Sequence, residues 1–324
     1  MPHFFAMEFI GKKELADGFD RIWENRIGTL LFAVLETDFK GWLNLFDHYK
    51  PWRWPWEKLK ESMIENLAPR HPFFEVRLRC LLQDEDSQIQ TVKQWLHDLV
   101  MFQSRMKDLV SFCLDREGPY ADLTTAQRYY LYLKVRTNAY IEAVKLQETV
   151  CYESRFSVNK KSVLHIPSPN TVLTKRDVAV VKSKPIKGSV FYTSDDLRAM
   201  VYLSVEHMIN HGIEIVRCDN CGRYFVPYSG RARFCNRPVE GEKTCRDVGP
   251  WRQYEERVRT DPVAKMLQKN SHAYYMRSWR NGMVYSREDY LRWQLEAKEQ
   301  LLRYQKGELT QEQALEAIQM PKRK

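Results

Sequence analysis

The chain has 324 residues, enough for two domains or one large one, with 44% hydrophobic residues to build a core and 29% charged residues. Its best apolar run, Gly28 to Leu35, is far too short to span a bilayer, and the first fifteen residues lack the basic–apolar–small layout of a secretory leader. The expectation is a cytoplasmic protein with no membrane partner. Its charge of +9 is uneven, because residues 218–324 carry 21 Lys+Arg against 14 Asp+Glu, and this points to a polyanionic partner, DNA or RNA.

Residues 1–150 read as a helical domain, a possible holder of a protein partner. From Asp86 to Leu114 the apolar residues Ile89, Val92, Leu96, Leu99, Met106, Leu109 and Val110 recur at helical spacing. Thr124-Thr-Ala-Gln127 has the form of a capping box, which predicts one long helix from there to about Val150. Between the start and these helices, Pro51 and Pro55 break up the tryptophan-rich stretch Tyr49 to Trp56. It reads as a loop whose rings fold onto the core, with base or ligand stacking as the sharper alternative. Cys80, Cys113 and Cys151 are scattered and read as small buried hydrophobes.

Residues 151–193 change character and predict a β-rich connector or small sheet. Its pieces are Ser154–Val158, Val178–Val181 and Val190–Tyr192, punctuated by Pro167, Pro169 and Pro185. A helix follows, capped by Thr193 or Ser194, stopped by Gly212, and buried through Leu197, Met200, Val201, Val205 and Met208. Ile213–Val216 is a short strand that runs into the first of four clustered cysteines.

Those cysteines are Cys218, Cys221, Cys235 and Cys245, spaced C-x2-C-x13-C-x9-C. Two residues between the first pair let both sulfurs face one point, and Gly222 permits the positive φ such a turn needs. The strand before and Arg223–Val226 after form the arms of a knuckle. The second pair encloses a loop, and a helix starts at or just after Cys245. A knuckle first and a final ligand at a helix start is the layout of a treble clef, with one structural zinc ion on four thiolates and no open position for catalysis. A redox C-x-x-C is disfavoured because no βαβ context surrounds it. Arg223, Arg231, Arg233, Arg237, Lys243 and Arg246 punctuate this stretch, with Tyr224, Phe225, Tyr228 and Phe234 between them. The mixture suits phosphate contacts with stacking; a solvated loop around a small metal core is the plainer alternative.

The pattern CDNCGRYFVP, RARFCNRP and GEKTCRDVG resembles the C-terminal part of DUF6076, a bacterial family of unknown function, over about Ser194 to Ile318. More distantly it is similar to the CGNR-type zinc fingers of bacterial regulators, from which it departs by Cys245-Arg-Asp-Val in place of Cys-Gly-Asn-Arg. The resemblance implies metal ligation by the four cysteines. It also suggests a regulatory, mobile-element or defence setting.

Thr260-Asp-Pro262 opens a further helix that carries Lys265, Lys269, His272, Arg277 and Arg280 with Tyr274, Tyr275 and Trp279. Asp261 is the only acid between Thr260 and Gly282, so this helix is the best candidate for a backbone-contacting element. Ser286 and Thr310 cap two closing helices. Enzyme signals are weak. His207 and His211 have ligand spacing, but Met208 stands where a zinc protease needs Glu. Glu240-x-Glu-Lys243 faintly suggests a nuclease, yet no His lies between Cys218 and Cys245 and no phosphate-cradling glycine loop is present.

The sequence therefore predicts a mainly α chain with a small β segment. A helical domain occupies 1–150, a connector or sheet 151–193, and a treble-clef-like zinc module with basic helices 194–324. The leading function is zinc-folded nucleic-acid binding. The alternatives are a protein-interaction module with a structural zinc, and a nuclease with an unrecognised acidic site.

Overall fold

The computed structural model describes residues 5–17, 22–48, 56–82, 88–159, 162–164, 174–182, 187–280 and 286–321. Tyr49 to Pro55, Pro167, Pro169 and Pro185 lie outside the described residues. The protein is mainly helical with a small sheet, and it forms two compact units. The first comprises residues 1–217 with 223–233; the second comprises 218–222 with 234–324. Among the described residues no helix is long and apolar enough to cross a membrane.

In the first unit, six antiparallel strands run in the order β3-β2-β1-β6-β4-β5. They are β1 (Phe5–Ile10), β2 (Lys13–Asp17), β3 (Ile22–Arg26), β4 (Cys151–Asn159), β5 (Ser162–Leu164) and β6 (Lys187–Ser194). The first three fall inside the stretch read as helical, which is helical only from Thr29 onward. The β4 and β6 pieces lie where the sequence placed them. Val178–Val181 does not: it belongs to the helix α8 (Lys175–Lys182), where Val178 and Val181 are exposed. Valine has strand propensity where a sheet supplies neighbours to pack against, and among the described residues no strand pairs with this segment.

Helices α1 (Thr29–Glu36), α2 (Phe39–Asp47), α3 (Trp56–Leu67), α4 (Pro72–Leu81) and α5 (Gln88–Cys113) precede α6 (Thr125–Val135) and α7 (Thr137–Glu148). Their core contains Leu30, Leu31, Phe39, Phe73, Leu96 and Phe102, all essentially unexposed. The capping box at Thr124 and Gln127 forms as expected. The single helix expected after it breaks instead at Arg136, whose backbone leaves the helical region (φ −113, ψ 74) and whose Nε donates to Asp108 at 3.2 Å. Of the scattered cysteines Cys113 is buried, Cys80 half-buried and Cys151 exposed, so the buried reading fails at Cys151. Burial pushes the Cys113 thiol up to about 12.

Helix α9 (Leu197–Asn210) buries the five predicted residues. Asp196, not Thr193 or Ser194, caps it by accepting from Arg198 N, and Gly212 ends it at φ +63. Beneath it, Glu14 of β2 is fully buried, with one oxygen accepting from Gly28 N (3.0 Å) and Ser204 Oγ (3.2 Å) and the other from Leu30 N (2.8 Å). Its carboxyl thus caps α1 in place of a side chain at Gly28, which supplies none.

The second unit is built on α10 (Cys245–Thr260), α11 (Pro262–Arg280), α12 (Arg287–Gln305) and α13 (Gln311–Ala317). Val263, Leu267, Tyr274, Trp293, Ala297 and Ile318 form its core. The predicted caps are present: Ser286 accepts from Asp289 N at 3.0 Å, and Thr310 closes a capping box with Gln313; at the opening of α11 Asp261 accepts from Val263 N at 2.8 Å.

Candidate metal centre

Two short strands of the first unit, β7 (Val216–Arg217) and β8 (Tyr224–Phe225), flank the knuckle and pair antiparallel. Between them Gly222 N donates to Cys218 O at 2.8 Å, and Gly222 adopts φ +70, the left-handed turn its lack of a Cβ allows. This directs Cys218 and Cys221 to one point. The segment between the second pair is a hairpin and not a plain loop: β9 (Pro238–Glu240) pairs with β10 (Lys243–Thr244). Asp247 accepts from Thr244 N (2.9 Å) and Thr244 Oγ1 (2.7 Å), which starts α10 at Cys245.

All four sulfurs lie within 4.8 Å of one another, and the Cys221 and Cys235 Sγ atoms are 3.7 Å apart. Cys218, Cys235 and Cys245 are buried. Cys235 N reaches Cys218 Sγ at 3.4 Å and Asn220 Nδ2 reaches Cys245 Sγ at 3.3 Å, so donors aim at the sulfurs. Helix α10 ties the knuckle down, because Arg252 Nη1 donates to Asn220 Oδ1 (3.2 Å) and Gln253 Nε2 to Asp219 Oδ2 (2.9 Å). Where Gly249 faces Phe234, an added Cβ would stand 2.3 Å from the ring.

Cys218 and Cys235 do not ionise independently. At Cys218 burial pushes the thiol up, but the N–H groups of Cys235, Cys221 and Asn220 outweigh it and bring it down to about 7. At Cys235 burial pushes the thiol up to about 12, against the lowering N–H of Arg237 and helped by the hydrogen bonds its thiol donates to Cys218 and Cys245. A cation that accepts several thiolates removes this conflict, so the donor set fits a metal ion. Among the described residues no second group of three or more potential ligands lies together.

Residues 182–322 match the model of a family described as "Family of unknown function (DUF6076)". The matched stretch takes in α9, the knuckle, all four cysteines and the helices of the second unit, and leaves out residues 1–181. No curated protein and no solved structure matches the chain.

The basic residues singled out in the sequence divide between the units. Arg223, Arg231 and Arg233 lie in the first, where Arg223 Nη1 is 3.6 Å from Glu36 Oε2. Arg237, Lys243, Arg246, Lys265, Lys269, Arg277 and Arg280 lie in the second. Sequence proximity alone does not join the two sets. On α11, Lys265, Lys269, His272 and Trp279 fall on one exposed stripe opposite the buried Val263, Leu267 and Tyr274. Arg277 sits on the flank, its Nη1 4.0 Å from Met320 Sδ. The nuclease-like Glu240 is engaged by Arg252. His207 is half-buried, its ring stacked 4.3 Å from Phe9, and His211 stacks 4.0 Å from His207 in solvent.

Sequence reasoning missed a charged network in the first unit. The fully buried Arg128 donates to Glu214 Oε1 (2.6 Å), Asp115 O (2.7 Å) and Leu123 O (3.0 Å), while Arg116 reaches the other Glu214 oxygen at 3.1 Å. Tyr224 OH donates to Asp115 Oδ2 at 2.9 Å. Only the fold brings residues about a hundred positions apart into this cluster, so no local motif could have marked it.

Proposed function

We propose that the second unit binds nucleic acid on an exposed basic face, and that one structural zinc ion on Cys218, Cys221, Cys235 and Cys245 fixes its fold. A tetrahedral ion with bonds of about 2.3 Å to sulfur requires sulfurs about 3.8 Å apart, and the 3.7 Å between Cys221 and Cys235 meets that distance. With four thiolate ligands the shell is closed, so the ion's role is to hold structure. The observation that carries the nucleic-acid reading is the outer stripe of α11. Lys265, Lys269 and His272 line it, Trp279 ends it at 69% exposure, and no acid follows Asp261 on the helix. Cations along one face contact phosphates, and an exposed indole stacks on bases.

Filter-binding titrations at two salt concentrations test the reading. Binding should weaken steeply with salt, and absent or salt-indifferent binding would refute it. Elemental analysis of the purified protein should give one zinc per chain. The exposed leucines of α12 favour a second reading, a protein-interaction module with a structural metal.

A further inference from the structure

Helix α12 turns Tyr290, Trp293 and Ala297 into the core of its unit. Its opposite side carries Leu291, Leu295 and Leu302, which are 48%, 71% and 56% exposed. Steps of four and seven residues place these leucines on one stripe. Isolated apolar residues are ordinary on a surface, but an aligned row marks a site that something covers. Arg292 and Glu299, seven residues apart beside the stripe, form no ion pair among the described residues.

We propose that two copies of this chain associate through α12, antiparallel about a two-fold axis. In heptad terms Leu291 and Lys298 occupy d, Leu295 and Leu302 occupy a, and Arg292 and Glu299 both occupy e. An antiparallel pairing sets Leu302 of each copy against Leu291 of the other, at both ends of the contact. Leu295 then lies along the aliphatic stem of Lys298 of the second copy, whose ammonium reaches solvent. Arg292 of each copy meets Glu299 of the other, so the two-fold makes the same ion pair twice. A parallel pairing would instead place Lys298 against its own copy in the middle of the seam and leave the Arg292–Glu299 match unused. The charge pattern therefore selects both the occupant, a second copy, and its direction.

The contact covers only two heptads, so association depends on concentration. In sedimentation velocity on the nuclease-treated full chain, the mass should rise from 38.7 kDa toward twice that value as concentration increases. Leu295→Glu should hold the mass at that of the monomer at every concentration, with an unchanged circular dichroism spectrum. Arg292→Glu should weaken association, and Arg292→Glu combined with Glu299→Arg should restore it. Three outcomes would overturn the proposal: a wild-type chain monomeric throughout, a dimer that survives Leu295→Glu, or a double swap no stronger than the single one.

Discussion

Gly249→Ala tests how closely α10 is built against the metal centre. The new Cβ would lie 2.3 Å from Phe234 Cδ1 and 2.4 Å from Cε1, where an ordinary contact needs at least 3.4 Å. The ring must retreat by about 1 Å, and overpacking of this kind costs roughly 1–3 kcal/mol. Alanine recovers up to about 1 kcal/mol of helix propensity, so a mid-range overpacking cost of about 2 kcal/mol leaves a net loss of about 1 kcal/mol. Phe234 directly precedes Cys235, whose backbone N–H and thiol both take part in the cluster, so the displacement also reaches a ligand. Urea unfolding should show the loss, and a chelator should strip metal from the variant faster than from the wild type. Gly230→Ala, where nothing lies within 4 Å, is the matched control and should change neither. A Gly249→Ala protein as stable and as slow to release metal as the wild type would refute the packing argument.

Four other outcomes are expected. Cys235→Ser should lower bound metal from one equivalent toward none in elemental analysis and lower Tm, whereas Cys151→Ser should change neither. Arg128→Leu should cost about 3 kcal/mol in urea unfolding, because it takes the donor from Glu214 Oε1 and from two carbonyls; a loss under about 1 kcal/mol would contradict the role given to this network. Replacing Lys265 and Lys269 by Glu should flatten the salt dependence of nucleic-acid binding by about two contacts, and an unchanged slope would place the interface elsewhere. The last outcome concerns pH. Burial raises the Glu14 carboxyl from 4.5 to about 7, so its contribution is present below 4.5 and lost as pH rises through 7. Burial lowers His71 from 6.5 to about 3, so its contribution is present above 6.5 and lost as pH falls toward 3. Between 4.5 and 6.5 the two oppose, and the wild-type urea midpoint should stay nearly level. His71→Asn keeps a cap acceptor for Phe73 N–H, and its midpoint should rise as pH falls across that window; a level profile in this variant would sink the assignment.

What the sequence made legible was chemistry confined to a few neighbouring residues. The cysteine spacing, the turn at Gly222, the stop at Gly212, the helix opening at Thr260-Asp-Pro262 and the caps at Thr124, Ser286 and Thr310 each depend on atoms close by in the chain. Features set by distant partners were hidden. Strand β1 earns its place by pairing with β6 some 180 residues away, and β-branched Val178 and Val181 sit in a helix that pairs with no strand among the described residues. The cap at Asp196 displaced its neighbours because Ser194 is already the last residue of β6. The split of the basic residues was hidden for the same reason: Arg223, Arg231 and Arg233 adjoin the ligands in sequence but belong to the first unit.

The division of the chain gives the cluster a topological meaning. The backbone passes between the units three times, at 217–218, 222–223 and 233–234, and the knuckle is a five-residue excursion between the first two crossings. A metal ion on all four thiolates would join that excursion to the chain beyond the third crossing, which closes residues 222–234 into a ring. A protease cut within that ring would sever the polypeptide without separating its halves.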